Sequence, residues 1–190
     1  MTPELRLMIA PGPTYARLAR QPVPAGPLAF LRRPFLATVV LGGAIAIAGT
    51  GHVTPALVIS TTLCWAFVVV LQIAIALALI AAPSRRTVGV ARALDLFFAS
   101  HAPWSFWLLA AALMPASIGR PVVALLLAAL VPMLLTQRMI AAFFREVLEL
   151  APRHAIVRTA VHQAITWGLF VLLYGWAVAL WPRIVQVLGG

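Results

Sequence analysis

The stretch APSRRTVGVARALDLFFASHAPWSFW, residues 82–107, decides how this chain is organised. It is the one long polar interruption between the apolar segments in the middle of the sequence, and it carries three arginines. Its second half returns to apolar sequence through Pro103 and Trp104. Because the runs on both sides are long enough to cross a bilayer, the stretch is predicted to join two membrane-spanning helices.

The composition of the whole chain supports this interpretation. Of its 190 residues, 63% are hydrophobic and only 9% are charged, whereas ordinary soluble domains are about 25% charged. So few charges cannot cover the surface of a soluble fold. The sequence therefore predicts an all-α, polytopic integral membrane protein.

The basic charge also fits a membrane protein. The net charge is +10, and all 14 basic residues are arginines, against four acids. Nucleic acid is not expected as a partner, because arginines are retained in cytoplasmic loops of membrane proteins and can rest against anionic headgroups. The predicted headgroup contacts are Arg17, Arg20, Arg32, Arg33, Arg85 and Arg86.

The apolar runs predict five transmembrane helices, preceded by an N-terminal lead. The lead occupies residues 1–34, the transmembrane domain 35–182 and a short outer tail 183–190. The spans are expected at about 35–49, 55–82, 103–118, 121–136 and 159–181. Because seven prolines interrupt the first 34 residues, no cleavable signal peptide is expected there.

Two segments are predicted to form short interfacial amphipathic helices. In the lead, Thr14 is expected to cap the second of two short helices. In the central loop, apolar residues between Val90 and Phe98 recur at helical spacing, and Arg92 and Asp95 fall on the opposite side. Those two charged residues are three apart and are expected to pair.

The distribution of arginines predicts the orientation. With the N-terminus in the cytoplasm, twelve arginines lie inside, and Arg120 and Arg183 lie outside. The C-terminus is then outside. The use of arginine in place of lysine, with abundant Ala, Pro and Gly, indicates a GC-rich genome. A bacterial inner membrane is the expected location.

Two groups of residues inside the spans are candidates for contacts. Small residues that allow close helix packing are Gly42, Gly43, Ala46, Gly49, Ala74 and Ala78. Polar residues that should find partners within the membrane are Gln72, His162, Gln163 and Thr166. Interhelical hydrogen bonding is the favoured role for the polar group, since no acid lies at mid-membrane.

Catalytic, metal and cofactor sites are weakly indicated. The string Arg145-Glu146-Val147-Leu148-Glu149 is similar to the short RExxE motif of iron permeases, and His154 follows it. A solvated helix end with an Arg145–Glu149 pair is the preferred interpretation. Cys64 is alone, and neither a haem-ligand pair nor a hydrolase triad is evident. The sequence therefore predicts no cofactor, no metal and no enzymatic activity.

The pattern of a lead followed by five spans resembles bacterial members of the Yip1 family. The lead APGPTYARLARQP, residues 10–22, resembles the proline–aromatic–basic segment of those proteins. The amphipathic segment from Phe97 to Trp104 resembles the loop that follows their second span. The likeness extends over about residues 8–182, and its motifs are loose.

The resemblance implies a non-enzymatic membrane scaffold or adaptor that works through helix and lipid contacts. Its expected partners are membrane lipids and other membrane subunits or a second copy of the chain. The alternative is an accessory subunit of a larger respiratory or photosynthetic complex. A small-solute transporter is less favoured, because no intramembrane charge and no inverted repeat are visible.

Overall fold

The computed structural model of the chain describes residues 1–21, 29–81, 88–114 and 122–189. Within these residues the fold is entirely helical, with no strand. The eight α-helices are α1 (Pro3–Ile9), α2 (Pro11–Arg20), α3 (Arg32–Thr50), α4 (Pro55–Ala81), α5 (Val90–Ala99), α6 (Ala102–Ala112), α7 (Val122–Glu146) and α8 (Pro152–Gly189). A short 3-10 turn, Ala29–Leu31, leads into α3.

Three segments are long and apolar enough to cross a membrane: Pro55–Ala81, Leu127–Glu146 and Pro152–Leu173. They belong to α4, α7 and α8. The other two predicted spans correspond to α3 and α6, which are not among these three. The described part of the chain is thus an all-helical protein with three membrane-length helices.

The lead forms two helices that pack on the rest of the protein. Thr2 caps α1, since its Oγ1 accepts a hydrogen bond from the Leu5 N–H at 3.4 Å. The prediction that Thr14 caps the second helix is wrong: α2 already begins at Pro11, and Thr14 is buried inside it. Its hydroxyl instead donates to the Arg6 carbonyl at 3.4 Å, which joins α2 to α1.

Helices α3 and α4 pack against each other as a hairpin. The connection turns at Gly51, which has a φ of +71° and closes α3 by donating to the Ile47 carbonyl at 2.9 Å. Gly42 faces α4 so closely that an added Cβ would lie 2.6 Å from the Thr62 Cα. Thr61 Oγ1 donates to the Gly42 carbonyl at 2.9 Å. Close approach at Gly42 therefore sets the spacing of the hairpin.

Helix α5 is buried within the protein and does not present the exposed polar side that was predicted. The prediction placed Arg92 and Asp95 on an outward polar side, but they are only 7% and 5% exposed. The residues from Arg92 through Ala99 are all buried. The sequence pattern was misleading because these two charges have partners inside the protein, which a helical period cannot show.

The largest buried side chains meet where α2, α5 and the end of α7 come together. Phe97 of α5 contacts Phe143 of α7 with ring centres 5.7 Å apart. Tyr15 of α2 contacts the same Phe143 ring at 5.9 Å. Leu7 of α1 and Phe144 of α7 are completely buried in this cluster. The core therefore ties the lead to the membrane-length helices.

We predict opposite effects for alanine at two adjacent glycines of α3. Gly42→Ala forces the new methyl onto the Thr62 backbone and should destabilise the protein by about 1–3 kcal/mol. Gly43→Ala meets nothing within 4 Å and should be neutral or slightly stabilising. Thermal unfolding of both variants in one detergent measures the difference. Equal stabilities would contradict the close approach at Gly42.

Candidate functional site

A buried ionic network joins the lead to α3 and α5. The Asp95 carboxylate accepts hydrogen bonds from two arginines, Arg33 at the start of α3 and Arg92 in its own helix, the latter at 2.9 Å. Arg33 also pairs with Glu4 of α1 at 3.3 Å. Arg92 donates in addition to the Leu18 carbonyl of α2 at 2.9 Å. One carboxylate thus connects four helices.

The two acids next to Arg33 favour its charged form. Burial lowers the pKa of the Arg33 guanidinium, but Asp95 and Glu4 raise it by more, so the net shift is upward. Removing one member of such a network leaves an unpaired charge in a poorly solvated place. The network therefore stabilises the packing of these four helices, and each of its ion pairs depends on the others.

Tyr15 makes a second contact between α2 and α5. Its side chain is completely buried, and its hydroxyl donates to the Leu96 carbonyl of α5 at 3.3 Å. Burial raises the pKa of Tyr15 well above its ordinary value, which keeps the phenol neutral and able to donate. The lead is thereby bound to α5 through neutral as well as ionic contacts.

A cavity of about 380 Å³ opens among α3, α4, α5, α6, α7 and α8. Its size falls in the range of small-molecule sites, roughly 300–1,000 Å³. Aromatic rings form much of its wall, namely those of Trp65, Phe67, Phe98, Trp104, Trp107, Trp167 and Phe170. Its polar wall residues include Gln72, His101, Thr136, His162, Gln163 and Thr166.

A hydrogen-bonded cluster lies in the wall of this cavity. His162 Nε2 lies 3.1 Å from Gln72 Oε1, and Gln72 Nε2 donates to Thr166 Oγ1 at 3.2 Å. Gln163 accepts instead from the indole N–H of Trp167 at 3.0 Å. The structure therefore brings together three of the four polar residues singled out in the sequence, from α4 and α8.

Some cavity residues escaped the sequence analysis. Thr136 was taken as the end of the fourth span, yet it is buried and faces the cavity from α7. His101 was not among the polar residues singled out, yet it lines the cavity and its ring centre lies 6.0 Å from that of His162. One local feature of the sequence points to Thr136. This residue begins a short polar run, Thr136-Gln137-Arg138, directly after a long apolar segment.

The small residues predicted for helix packing fall in different places. Gly42 lies against Thr62, and Ala46 is buried. Gly43 has open space around it, and Gly49 lies in the last turns of α3. Ala74 and Ala78 are exposed on α4. Because they are exposed, close packing at these two alanines would require a helix of another molecule, and this role stays a prediction.

The arginines predicted to touch headgroups also divide into groups. Arg17, Arg20 and Arg32 are exposed. Arg33 is partly buried, with its terminal nitrogens engaged by Asp95 and Glu4. Arg85 and Arg86 lie outside the described residues. Headgroup contact therefore remains a prediction for the exposed arginines.

The RExxE string does not form one helical face. Helix α7 ends at Glu146, and Glu149 has a φ of +53° beyond that end. The Arg145 Nη2 atom lies 3.5 Å from Glu146 Oε1, which is an ion pair between adjacent residues. Among the described residues there is no group of three His, Cys, Asp or Glu side chains that could hold a metal ion.

Comparisons with other proteins add no assignment. No protein-family model matches the sequence, and neither the curated proteins nor the solved structures include a match.

We predict that Asp95→Asn is strongly destabilising, because it leaves two arginines in a buried place without their carboxylate. Loss of one partner of a buried ion pair costs about 3–5 kcal/mol. The matched control is Glu146→Gln, which breaks a partly exposed pair and should cost less than about 1 kcal/mol. Thermal unfolding of the purified variants measures both, and a similar small loss for the two would contradict the network's role.

Proposed function

We propose that the chain is a non-enzymatic membrane scaffold or adaptor protein of the Yip1-like kind. Its work is to present helix surfaces to lipids and to other membrane proteins. The resemblance of residues 10–22 and 97–104 to Yip1 proteins motivates this proposal. The contacts made by α8 and by the lead support it.

The exposure of α8 is the observation that carries the proposal. In the apolar window of Pro152–Leu173 only 11% is buried inside the protein, against 28% for the corresponding window of α4. Val157, Val171 and Leu172 are each more than half exposed. An apolar helix that uses so little of its surface within its own chain must cover it with lipid or another protein.

The fixed lead supports an adaptor role in particular. Because Asp95, Arg33, Glu4 and Tyr15 fasten α1 and α2 to α5 and α3, the lead is part of one rigid surface. Its exposed arginines, Arg17 and Arg20, extend from that surface. A rigid basic surface next to apolar helices suits contact with anionic membrane lipids.

The full topology belongs to the proposal. It comprises five spans, a cytoplasmic N-terminus, an external C-terminus and insertion in a bacterial inner membrane. The unequal distribution of arginines supports that orientation.

An accessory subunit of an energy-transducing complex is the second candidate. The same exposed face of α8 would then contact a larger neighbour. A small-solute transporter is less favoured, because the cavity wall contains no charged side chain among the described residues that line it.

Photo-crosslinking tests the contact function of α8. A benzophenone amino acid replaces Val171 of α8 or, as a matched control, Val131 of α7, which are 65% and 61% exposed. In native membranes we expect a discrete protein adduct from position 171 and mainly lipid adducts from position 131. An adduct with respiratory or photosynthetic subunits would favour the accessory role, and lipid adducts alone at both positions would contradict protein contact through α8.

We predict that the orientation depends on the arginines of the central loop. Replacing Arg85 and Arg86 with alanine and inserting two arginines after Gly119 should reverse the local charge bias and disturb the sidedness of the second to fourth spans. Reporter fusions at the 50–54 and 119–121 turns measure this. Unchanged sidedness at both turns would count against the proposed topology.

A further inference from the structure

We propose that the exposed faces of α1 and α7 together bind an anionic phospholipid, whose phosphate lies at Arg138 and whose acyl chains lie along the apolar residues that precede it. This inference deepens the lipid contact in the proposed function and rests on the insertion of α7 in a membrane. It uses no residue of the exposed α8 face, so the lipid site and the protein contact through α8 can fail separately.

A row of exposed apolar side chains follows one face of α7. Leu127, Val131 and Leu134 are each at least 60% exposed, and their spacing of four and three residues places them in line along the helix. They belong to the segment Leu127–Glu146, which is long and apolar enough to cross a membrane. Because these side chains contact little of their own protein, the acyl chains of the bilayer cover them.

Arg138 ends this apolar row. It follows Leu134 by four residues on the same face of α7 and is exposed. It lies about 24 Å along the helix axis from Val122, where α7 begins. The hydrocarbon core of a bilayer is roughly 30 Å thick, so this distance places Arg138 near one of its boundaries. A cation there is stabilised when it reaches the headgroups.

The guanidinium of Arg138 has donors to spare for a phosphate. Its Nη2 donates to the Ile9 carbonyl at 3.2 Å, which is the one hydrogen bond that this side chain makes among the described residues. A guanidinium carries five N–H donors, so most of them remain for another acceptor. Arginine commonly binds phosphate oxygens through two parallel hydrogen bonds, and a lipid phosphate is the acceptor present at this depth.

Helix α1 adds an apolar surface beside Arg138. Ile9, whose carbonyl Arg138 binds, is 64% exposed, and Leu5, one turn earlier in α1, is 41% exposed. Leu7 points the other way and is completely buried in the core, so α1 is held in place from that side. A fixed helix with apolar side chains on its outer face suits the boundary between headgroups and acyl chains.

The surrounding charges favour a headgroup with a net negative charge. Arg145 lies two turns beyond Arg138 on the same face of α7, and Arg6 is exposed on α1. The Glu146 carboxylate, 3.5 Å from Arg145, offsets only one of these three arginines. Each basic residue near the surface strengthens attraction to anionic lipid, whereas a zwitterionic headgroup would bring a second cation towards the arginines.

The test uses the full chain, purified in detergent and mixed with equal amounts of dioleoylphosphatidylglycerol and dioleoylphosphatidylcholine. The two probes have the same acyl chains, but only phosphatidylglycerol has a net negative charge. Native mass spectrometry identifies which lipid is bound first by each chain. We expect a preference for phosphatidylglycerol of at least about five-fold, the effect of one basic residue on an anionic lipid.

Three variants locate the bound lipid. Arg138→Gln should reduce the preference by about five-fold, and Arg138→Lys, which retains the charge, should keep most of it. Both replacements can still donate a hydrogen bond to the Ile9 carbonyl, so a difference between them reports the charge and not the contact with α1. The control is Arg153→Gln, which removes an exposed arginine from the first turn of α8 and should leave the preference unchanged.

Equal binding of the two lipids by the wild-type chain would overturn the proposal. The same loss of preference in Arg138→Gln and Arg153→Gln would also overturn it, because the whole basic surface would then attract anionic lipid without a site at Arg138. With either result, a protein adduct from position 171 of α8 would still support the scaffold role. A lipid preference that depends on Arg138, without such an adduct, would support the lipid site and contradict the protein contact alone.

Discussion

The rest of the structure depends on the burial of Asp95 between two arginines. The carboxylate holds Arg92 within α5 and Arg33 at the start of α3, and those arginines continue to Leu18 of α2 and Glu4 of α1. A single buried acid would be costly, but here each charge has a partner. This network joins α1 and α2 of the lead to α3 and α5.

Fixing α5 in turn shapes the cavity. Phe97 packs against both Phe143 and the ring of His162, with ring centres 5.7 and 5.3 Å apart. His162 is thereby held where its Nε2 meets Gln72. The next residue, Phe98, belongs to the cavity wall itself. The ionic network and the cavity wall therefore share one supporting helix, α5.

Much of the helical layout was predictable from local sequence. The turn at Gly51, the beginning of α4 at Pro55 and the Arg92–Asp95 pair follow from hydropathy and spacing. The burial of Asp95 was not predictable, because Arg33 is 62 positions away. The cavity was equally hidden: its wall comes from helices throughout the chain, and hydropathy shows which residues are apolar but not which helices are neighbours. Of the polar residues in its wall, the sequence analysis identified Gln72, His162, Gln163 and Thr166 and missed His101, Ser105 and Thr136.

The central claim is that the lead is fastened into the core and does not lie free on the membrane surface. Amide hydrogen exchange of the wild-type protein in nanodiscs tests it most directly. The account predicts that amides of α2 exchange nearly as slowly as those of α5, because the two helices share Tyr15 and the Arg92–Leu18 hydrogen bond. Rapid exchange throughout α2 while α5 stays protected would contradict it.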